Sequence, residues 1–231
     1  GFPAYRKWEL GRAAEGPVKH VVINGGEHEP GSRKDRFLVA RYPHRVIEGA
    51  AICAVTTGAS TIVLYLIEDM LDAIESARTA IDEVTASGLL AGLEIKVALA
   101  PTTYVAGEET AALEVIEGRK AWPRKKPPYP GQAGLYGQPT TVQNVETVAW
   151  VPGIVKNGAD WFRPGAMLCT LDESFARPGL YEVPLGTPLR SLVNDIGGGT
   201  AGGRPVKAIL PALSSAFLPA SALDTPLTHE A

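Results

Sequence analysis

Three short apolar runs, in which hydrophobic and polar residues do not alternate, constrain the fold of this chain most strongly. They occupy residues 18–23, 61–67 and 94–99, and helical patterns at residues 44–57 and 68–87 separate them. Runs of this kind are typical of parallel strands that are buried on both faces of a sheet. The sequence therefore predicts an α/β fold in which helices cover a parallel sheet.

Two loops that follow predicted strands carry motifs at the edge where such sheets bind ligands. Residues 24–31 read NGGEHEPG and residues 104–110 read YVAGEET. The glycines allow a backbone to approach a ligand closely. Glu108 and Glu109 have two open interpretations. They stabilise the start of a helix through its dipole, or they form a binding site with Glu27 and Glu29 from the neighbouring strand end.

Residues 122–139, named here the proline-rich loop, are too rich in Pro and Gly for a regular element. The loop is either a polyproline-like surface segment or a frame that holds Lys126 and Tyr129 toward a nucleotide. After it, Asn144 precedes a helical pattern over residues 144–155 that Pro152 interrupts, and it either caps that helix or offers its amide to a ligand. The charged run at residues 32–36 predicts a solvated face.

The pattern changes after residue 163. Strands at residues 167–171 and 179–183, a helix at 188–195 and a strand at 206–210 follow within a short span. This order predicts a small ubiquitin-like β-grasp unit. We therefore predict two domains, residues 1–163 and residues 164–231.

Charge and composition exclude several classes of function. The net charge of −3 gives no basic footprint for nucleic acid, and no segment has the roughly 18 consecutive apolar residues of a spanning helix, so direct membrane insertion is not expected. The two cysteines, Cys53 and Cys169, lie in apolar runs and predict buried free thiols in a reducing compartment. The four histidines lack metal-ligand spacing, so we expect no metal site.

Taken together, the motifs at residues 24–31, 104–110, 125–130 and 138–147 resemble the flavin-binding 51 kDa subunit of respiratory complex I. Diaphorase subunits of NAD-linked hydrogenases and formate dehydrogenases share this similarity, which covers nearly the whole chain. The resemblance implies a Rossmann-like FMN domain followed by an SLBB β-grasp domain. Residues 1–3 look like the tail of a glycine-rich flavin loop, so a central fragment is expected, with a four-iron four-sulfur domain beyond Ala231.

The resemblance also implies a function: hydride transfer from NADH to FMN, with electrons then passing to iron–sulfur clusters. Glu27 and Glu109 are the implied catalytic residues. The implied FMN-binding residues are Lys7, Asn24, Glu27, Gly107, Glu108, Glu109, Val142, Asn144 and Thr147. The residues implied to face NADH are Phe2, Glu29, Glu109, Lys126 and Tyr129, with Phe2 stacked on the base. The implied partners are iron–sulfur subunits of a multisubunit complex, on the cytoplasmic side and peripheral to the inner membrane.

Three positions depart from the pattern of the resembled family. Gly26 stands where that family has an Asp, His28 where it has a Gly, and Gln143 where it has an Asn. These departures keep two alternatives open. One is a degenerate relative that serves as a structural or docking module without flavin turnover, and the other is a diaphorase subunit of a hydrogenase or formate dehydrogenase.

Overall fold

The structure, a computed structural model, describes residues 2–211 and 216–228 and divides into two units. The larger unit comprises Phe2–His28 and Asp35–Lys156, and the smaller comprises Glu29–Lys34 and the chain from Asn157 onward. Gly1 of the expected flavin-loop tail, and residues 212–215 and 229–231 of the predicted small domain, lie outside the described residues. The domain boundary at residues 163 and 164 stays a prediction.

A parallel sheet forms the centre of the larger unit. Its strands are β1 (His20–Gly25), β2 (Thr61–Ile67), β3 (Glu94–Ala100) and β4 (Thr140–Asn144). In the part of the chain that the structure describes, their order is β3-β2-β1-β4 and each neighbouring pair is parallel. The predicted α/β class is therefore confirmed. The fourth strand was not predicted, and it pairs Asn144 with Asn24 of β1.

Helices cover this sheet. They are α1 (Ala4–Ala13), α2 (Lys34–Arg41), α3 (Pro43–Thr57), α4 (Leu71–Ser87), α5 (Glu109–Ile116) and α6 (Val145–Asn157). The predictions for α3 and α4 are close to these bounds, whereas α1 and α2 were not predicted. The expected interruption at Pro152 was wrong, because α6 continues through that residue. No helix within the described residues is long and apolar enough to cross a membrane.

Glycines bring the covering helices close to their neighbours. A Cβ on Gly49 of α3 would lie 1.9 Å from the Val148 carbonyl oxygen of α6. A Cβ on Gly11 of α1 would lie 2.3 Å from the Thr141 hydroxyl of β4. Both contacts therefore require glycine, and they hold α6 against α3 and α1 against the sheet. Cys53 of α3 is fully buried, as expected, and burial raises the pKa of its thiol to about 12. Cys169 is only partly buried, so the expectation of a buried thiol was wrong for this residue.

The smaller unit is built from two short antiparallel pairs. Strand β5 (Ala166–Leu171) pairs with β6 (Gly179–Pro184), and β7 (Ala208–Ile209) pairs with β8 (Leu218–Pro219). Between the pairs, the helix Leu189–Ser191 continues as a π-helical turn, Leu192–Ile196. These elements lie near their predicted positions, and the β-grasp assignment stays a prediction. The segment Glu29–Lys34 is linked to this unit by the Arg33 N–H, which donates to the Thr170 hydroxyl at 3.2 Å.

Candidate functional site

The carboxyl ends of the parallel strands converge on one edge of the larger unit. Strand β1 continues into the turn at residues 24–28, and β3 continues into a 3-10 turn, Tyr104–Gly107, that leads into α5. Strand β4 ends at Asn144, where α6 begins. Since the pairs of β1 with β2 and with β4 are in parallel register, the loops after these strands open on the same side.

Two of these turns are in direct contact. The Asn24 side-chain amide donates to the Gly107 carbonyl at 2.9 Å, and its oxygen accepts the Gly26 N–H at 2.9 Å. A Cβ on Gly107 would lie 2.7 Å from the Gly26 carbonyl oxygen and 3.2 Å from the His28 ring. A Cβ on Gly26 would lie 3.1 Å from the Tyr65 ring. The close approach therefore requires glycine at position 107, whereas a side chain at position 26 would require its neighbours to shift by a few tenths of an ångström.

Glu108 caps the N-terminus of α5. Its Oε2 accepts the N–H groups of Thr110 and Ala111 at 2.8 and 2.9 Å and the Thr110 hydroxyl at 2.5 Å. Burial alone would raise the pKa of this carboxyl, but the bonds from Thr110, Lys126 and Ala111 outweigh burial and lower it. The interpretation that Glu108 stabilises the start of a helix is thus correct. Its other carboxylate oxygen, Oε1, has a different partner.

Four charged side chains from three segments form one cluster. Lys126 Nζ donates to Glu108 Oε1 at 2.9 Å and to Glu109 Oε1 at 2.8 Å, and Lys7 Nζ lies 3.3 Å from Glu109 Oε2. Lys7 also donates to the Val142 carbonyl of β4 at 3.1 Å. These four side chains, Lys7, Glu108, Glu109 and Lys126, are named here the charged cluster. Each is about 28–32% exposed, so each remains within reach of a ligand.

The charged cluster shifts the protonation of its members. Burial would raise the pKa of Glu109, but the bond from Lys126 and the charge of Lys7 outweigh it and lower the pKa. Burial would likewise lower the pKa of Lys126, yet its bonds to Glu109 and Glu108 raise it. At neutral pH Glu109 is therefore an ionised hydrogen-bond acceptor, and Lys126 is a fixed cation.

A second group of predicted residues lies at the start of α2. Both carboxylate oxygens of Glu27 accept the Asp35 N–H, and one also accepts the Arg36 N–H, each at 3.1 Å. The Asn144 amide donates to Asp35 Oδ2 at 2.7 Å and to the Asn24 carbonyl at 3.2 Å, while its oxygen caps α6 by accepting the Glu146 N–H. Glu27 and Glu109, which we expected to act together, therefore have different protein partners.

The remaining predicted residues are more dispersed. Phe2 and Tyr129 are 56% and 57% exposed, so both rings are open to a ligand. Thr147 lies in the first turn of α6 and is half-buried, and Val142 participates through its backbone. Glu29 belongs to the smaller unit. The residue-by-residue assignment stays a prediction for all of them.

Sequence reasoning missed several residues near these clusters. Asp35 is 3% exposed, so the solvated face predicted for residues 32–36 was wrong at this position, because the half-buried Asn144 provides a hydrogen-bond partner. Arg124 was not singled out, although its guanidinium donates to the carboxylates of Glu114 in α5 and of Glu117, the residue that follows α5. Thr110 links Arg124 to Glu108, since its hydroxyl accepts the Arg124 N–H and donates to Glu108. The sequence feature that could have identified Arg124 is a charged residue within a Pro-rich run.

Two buried polar atoms near the turns have no hydrogen-bond partner within the described residues. They are Nε2 of Gln143 and Nε2 of His28. Gln143 is only 5% exposed. It lies two residues after Thr141, which contacts α1, so it points to the face of the sheet that carries α1. Buried polar atoms without partners are rare in folded proteins, so these two atoms are candidates for ligand contacts.

A family model and two relatives indicate the same family for this chain. The family model described as the Nuo51 FMN-binding domain matches residues 1–153. The chain is 41% identical over 240 residues to an F subunit of the NADH-quinone oxidoreductase of Rhizobium meliloti strain 1021, covering 97% of this chain. It is 37% identical over 244 residues to the F subunit of the NADH-quinone oxidoreductase of Aquifex aeolicus strain VF5, covering 99% of this chain. In both cases it spans 57% of the relative's length.

A solved structure shares the fold over the same extent. The crystal structure of an NAD+-reducing NiFe-hydrogenase in the H2-reduced state matches 100% of this chain with a TM-score of 0.92 at 34% identity. The match covers 41% of the hydrogenase chain. The similarity therefore extends over both units of this chain while spanning less than half of that neighbour.

Proposed function

Because the chain belongs to the family of the Nuo51 FMN-binding domain, we propose that it binds FMN and NADH and carries the NADH-oxidising step of an NADH dehydrogenase (quinone)-type subunit. The relatives that are named as F subunits of NADH-quinone oxidoreductases support this proposal. The single observation that carries it is the charged cluster, in which α1, the start of α5 and the proline-rich loop meet at the carboxyl edge of the sheet.

The residues present fit a flavin mononucleotide. A buried donor without a partner costs about 1–3 kcal/mol, so Gln143 Nε2 suits a carbonyl oxygen or ring nitrogen of the flavin. Lys7 Nζ donates to the carbonyl of Val142 in β4, and its ammonium group suits a phosphate or a negatively charged ring edge. Among the other proposed flavin contacts, Gly107 presents backbone, while Asn24 and Asn144 keep the turns around the flavin in place through their bonds.

When bound, FMN supplies the acceptor for the hydride, two electrons and one proton, that NADH loses in becoming NAD+. Glu109 is ionised and partly exposed, so it accepts hydrogen bonds from the amide or hydroxyl groups of NADH and orients them. Lys126 fixes the Glu109 carboxylate and offers a positive charge to the pyrophosphate. The exposed rings of Phe2 and Tyr129 provide surfaces for stacking of the bases.

Glu27 and Glu29 contribute differently from Glu109. The bonds from Glu27 to the α2 N–H groups favour a positioning role for this residue, since it sets the start of α2 and the turn at residues 24–28. We keep Glu29 as a proposed NADH contact.

We infer that iron–sulfur clusters, a four-iron four-sulfur cluster among them, would accept the electrons one at a time. The relatives are named as subunits, which supports assembly with partner subunits. Their names also include quinone as acceptor, and quinones reside in membranes. We infer a peripheral position on the cytoplasmic side of a membrane complex, with an SLBB β-grasp domain formed by residues 164–231.

The test is the colour of the protein purified at its natural length. We expect the two visible absorption bands of oxidised flavin, and we expect NADH to bleach the longer-wavelength band under anaerobic conditions. A folded protein that stays colourless after incubation with FMN contradicts the proposal. Bleaching by NADH without transfer to a quinone analogue, but with transfer to a hydrogenase or formate dehydrogenase partner, identifies the diaphorase alternative that the hydrogenase similarity supports.

A second candidate function is a docking module that retains the fold without flavin turnover. It is favoured by the fact that Asn24, Glu27 and Asn144 are already bonded to protein groups. The His28 ring beside Gly107 also occupies space at the turn. In this case the protein copurifies with its partner subunits and stays colourless.

A further inference from the structure

We propose that Arg124 is a positioning residue for the nucleotide site. Its side chain holds the proline-rich loop on α5, so that Lys126 reaches the charged cluster. The inference rests on the proposed function, and it adds a residue outside the predicted set. Arg124 lies two residues before Lys126, and its side chain is 22% exposed.

The Arg124 guanidinium joins the loop to the last turns of α5. Its Nε donates to Glu114 Oε1 at 2.5 Å, and Nη2 donates to Glu117 Oε1 at 2.7 Å. Its Nη1 donates to the Gly134 carbonyl at 2.7 Å, ten residues further along the loop. One side chain thus ties two distant points of the loop to the same helix. The Glu117 side chain is only 5% exposed, so solvent and salt weaken this contact little.

The Arg124 backbone joins the loop to the first turn of α5 as well. Its N–H donates to the Thr110 hydroxyl at 2.8 Å, and this hydroxyl donates to Glu108 Oε2 at 2.5 Å. The other oxygen of Glu108 accepts from Lys126 at 2.9 Å. The loop is therefore held at both ends of the helix, and the Lys126 side chain leaves it at a fixed point above Glu108 and Glu109.

A neighbouring arginine provides the matched control. Arg119 bonds the same two carboxylates, Glu114 and Glu117, and its side chain is 52% exposed. Within the described residues its guanidinium has no bond to the proline-rich loop. Loss of Arg119 therefore removes a positive charge from the same carboxylates and leaves the bond to Gly134 in place.

The experiment compares Arg124→Ala, Arg124→Lys and Arg119→Ala in the protein at its natural length. We expect Arg124→Ala to raise the KM for NADH by about tenfold or more, with kcat and FMN content within about twofold of wild type. Arg124→Lys keeps the charge but cannot form the planar fork, so a raised KM is expected to persist. Arg119→Ala is expected to leave KM within about twofold.

Hydrogen exchange of residues 122–139 provides a readout that does not depend on activity. Both Arg124 variants are expected to exchange these amides faster than wild type, while Arg119→Ala is not. A folded Arg124→Ala with unchanged exchange and unchanged KM overturns the proposal, as does an equal effect of Arg119→Ala. If Arg124→Ala fails to fold, Arg124→Lys decides by the same two measurements. Failure of the proposed function can be distinguished from failure of the Arg124 proposal. In the first case the wild type itself lacks flavin and NADH oxidation, and the hydrogen-exchange result still tests the role of Arg124.

Discussion

At the scale of single residues, the two adjacent glutamates have different surroundings. Glu108 accepts three bonds from the first turn of α5, whereas Glu109 is held by lysines from two other segments. Sequence alone could not separate them, because both stand at the start of a helix and either could serve its dipole. The distinction depends on Lys7 and Lys126, which lie 102 and 17 residues away in the chain.

Replacement of Glu109 by Gln tests its proposed role. The amide keeps the shape but loses the charge that attracts Lys7 and Lys126 and that accepts bonds from NADH. We expect the KM for NADH to rise at least about tenfold, equivalent to about 1.4 kcal/mol. The melting temperature is expected to change by less than about 3 °C, since the side chain is partly exposed. Steady-state kinetics and thermal melting provide the two measurements.

The control is Glu9→Gln, on the exposed surface of α1. It removes one negative charge from the protein outside the charged cluster and is expected to leave KM unchanged. Comparable losses of NADH affinity and of stability in Glu109→Gln would identify Glu109 as a structural carboxylate only.

Several site residues could be predicted and others could not, for physical reasons. Asn24, Gly107 and Lys126 stand in motifs whose glycines, prolines and amides are unusual at strand ends. Arg124 gave only a weak signal, since a single arginine in a Pro-rich run resembles any solvated charge. Gln143 is buried with an unpaired donor, and burial of a polar residue is visible only once β4 is known.

At the scale of secondary-structure elements, predictability followed the density of apolar residues. β2 was predicted with its observed bounds, since residues 61–67 are nearly all apolar and buried. α1 has no apolar stripe, and its only buried residue is Gly11. β4 contains Thr and Gln, and its identity as a strand depends on pairing with β1 more than 100 residues earlier. Local patterns contain no information on such distant pairing.

Helix α5 provides a prediction at this scale. Glu108→Ala removes the acceptor of two backbone N–H groups at the start of the helix. We expect a loss of stability of about 1 kcal/mol, and a melting temperature lower by about 2–4 °C. Chemical denaturation followed by circular dichroism measures the change.

Glu108→Asp is the matched variant, because Asp is also a strong capping residue. It is expected to keep most of the stability while its shorter side chain weakens the bond from Lys126. Equal stabilities for the Ala variant and wild type would show that the capping bonds contribute nothing measurable.

At the scale of the whole molecule, one buried and one half-buried histidine link stability to pH. Burial lowers the pKa of His20, with Lys96 adding to the effect and Glu94 opposing it. Burial also lowers the pKa of His28, which Asp69 partly opposes. The unfolded chain therefore binds protons more readily than the folded chain near the usual histidine pKa of 6.5. The contribution of these histidines to the free energy of unfolding is fully present above this pH. It is lost as the pH falls through 6.5 toward the folded pKa values.

Urea unfolding at about pH 7.5, 6.5 and 5.5 checks this expectation. The free energy of unfolding should decrease from the highest of these pH values to the lowest. The double variant His20→Asn, His28→Asn should show a weaker dependence of this free energy on pH. The lowered pKa values of Glu108 and Glu109 add a further loss below their usual 4.5. A free energy of unfolding that increases on acidification over this range would contradict the argument.

The division into units has a consequence for any attempt to separate them. Residues 29–34 group with the C-terminal part of the chain, so no single cut in the backbone can release that part whole. A protease or a gene truncation acting after Lys156 leaves Arg33 on one product and Thr170 on the other, and the bond between them is lost. A fragment designed to contain the complete smaller unit must therefore be assembled from two pieces of sequence.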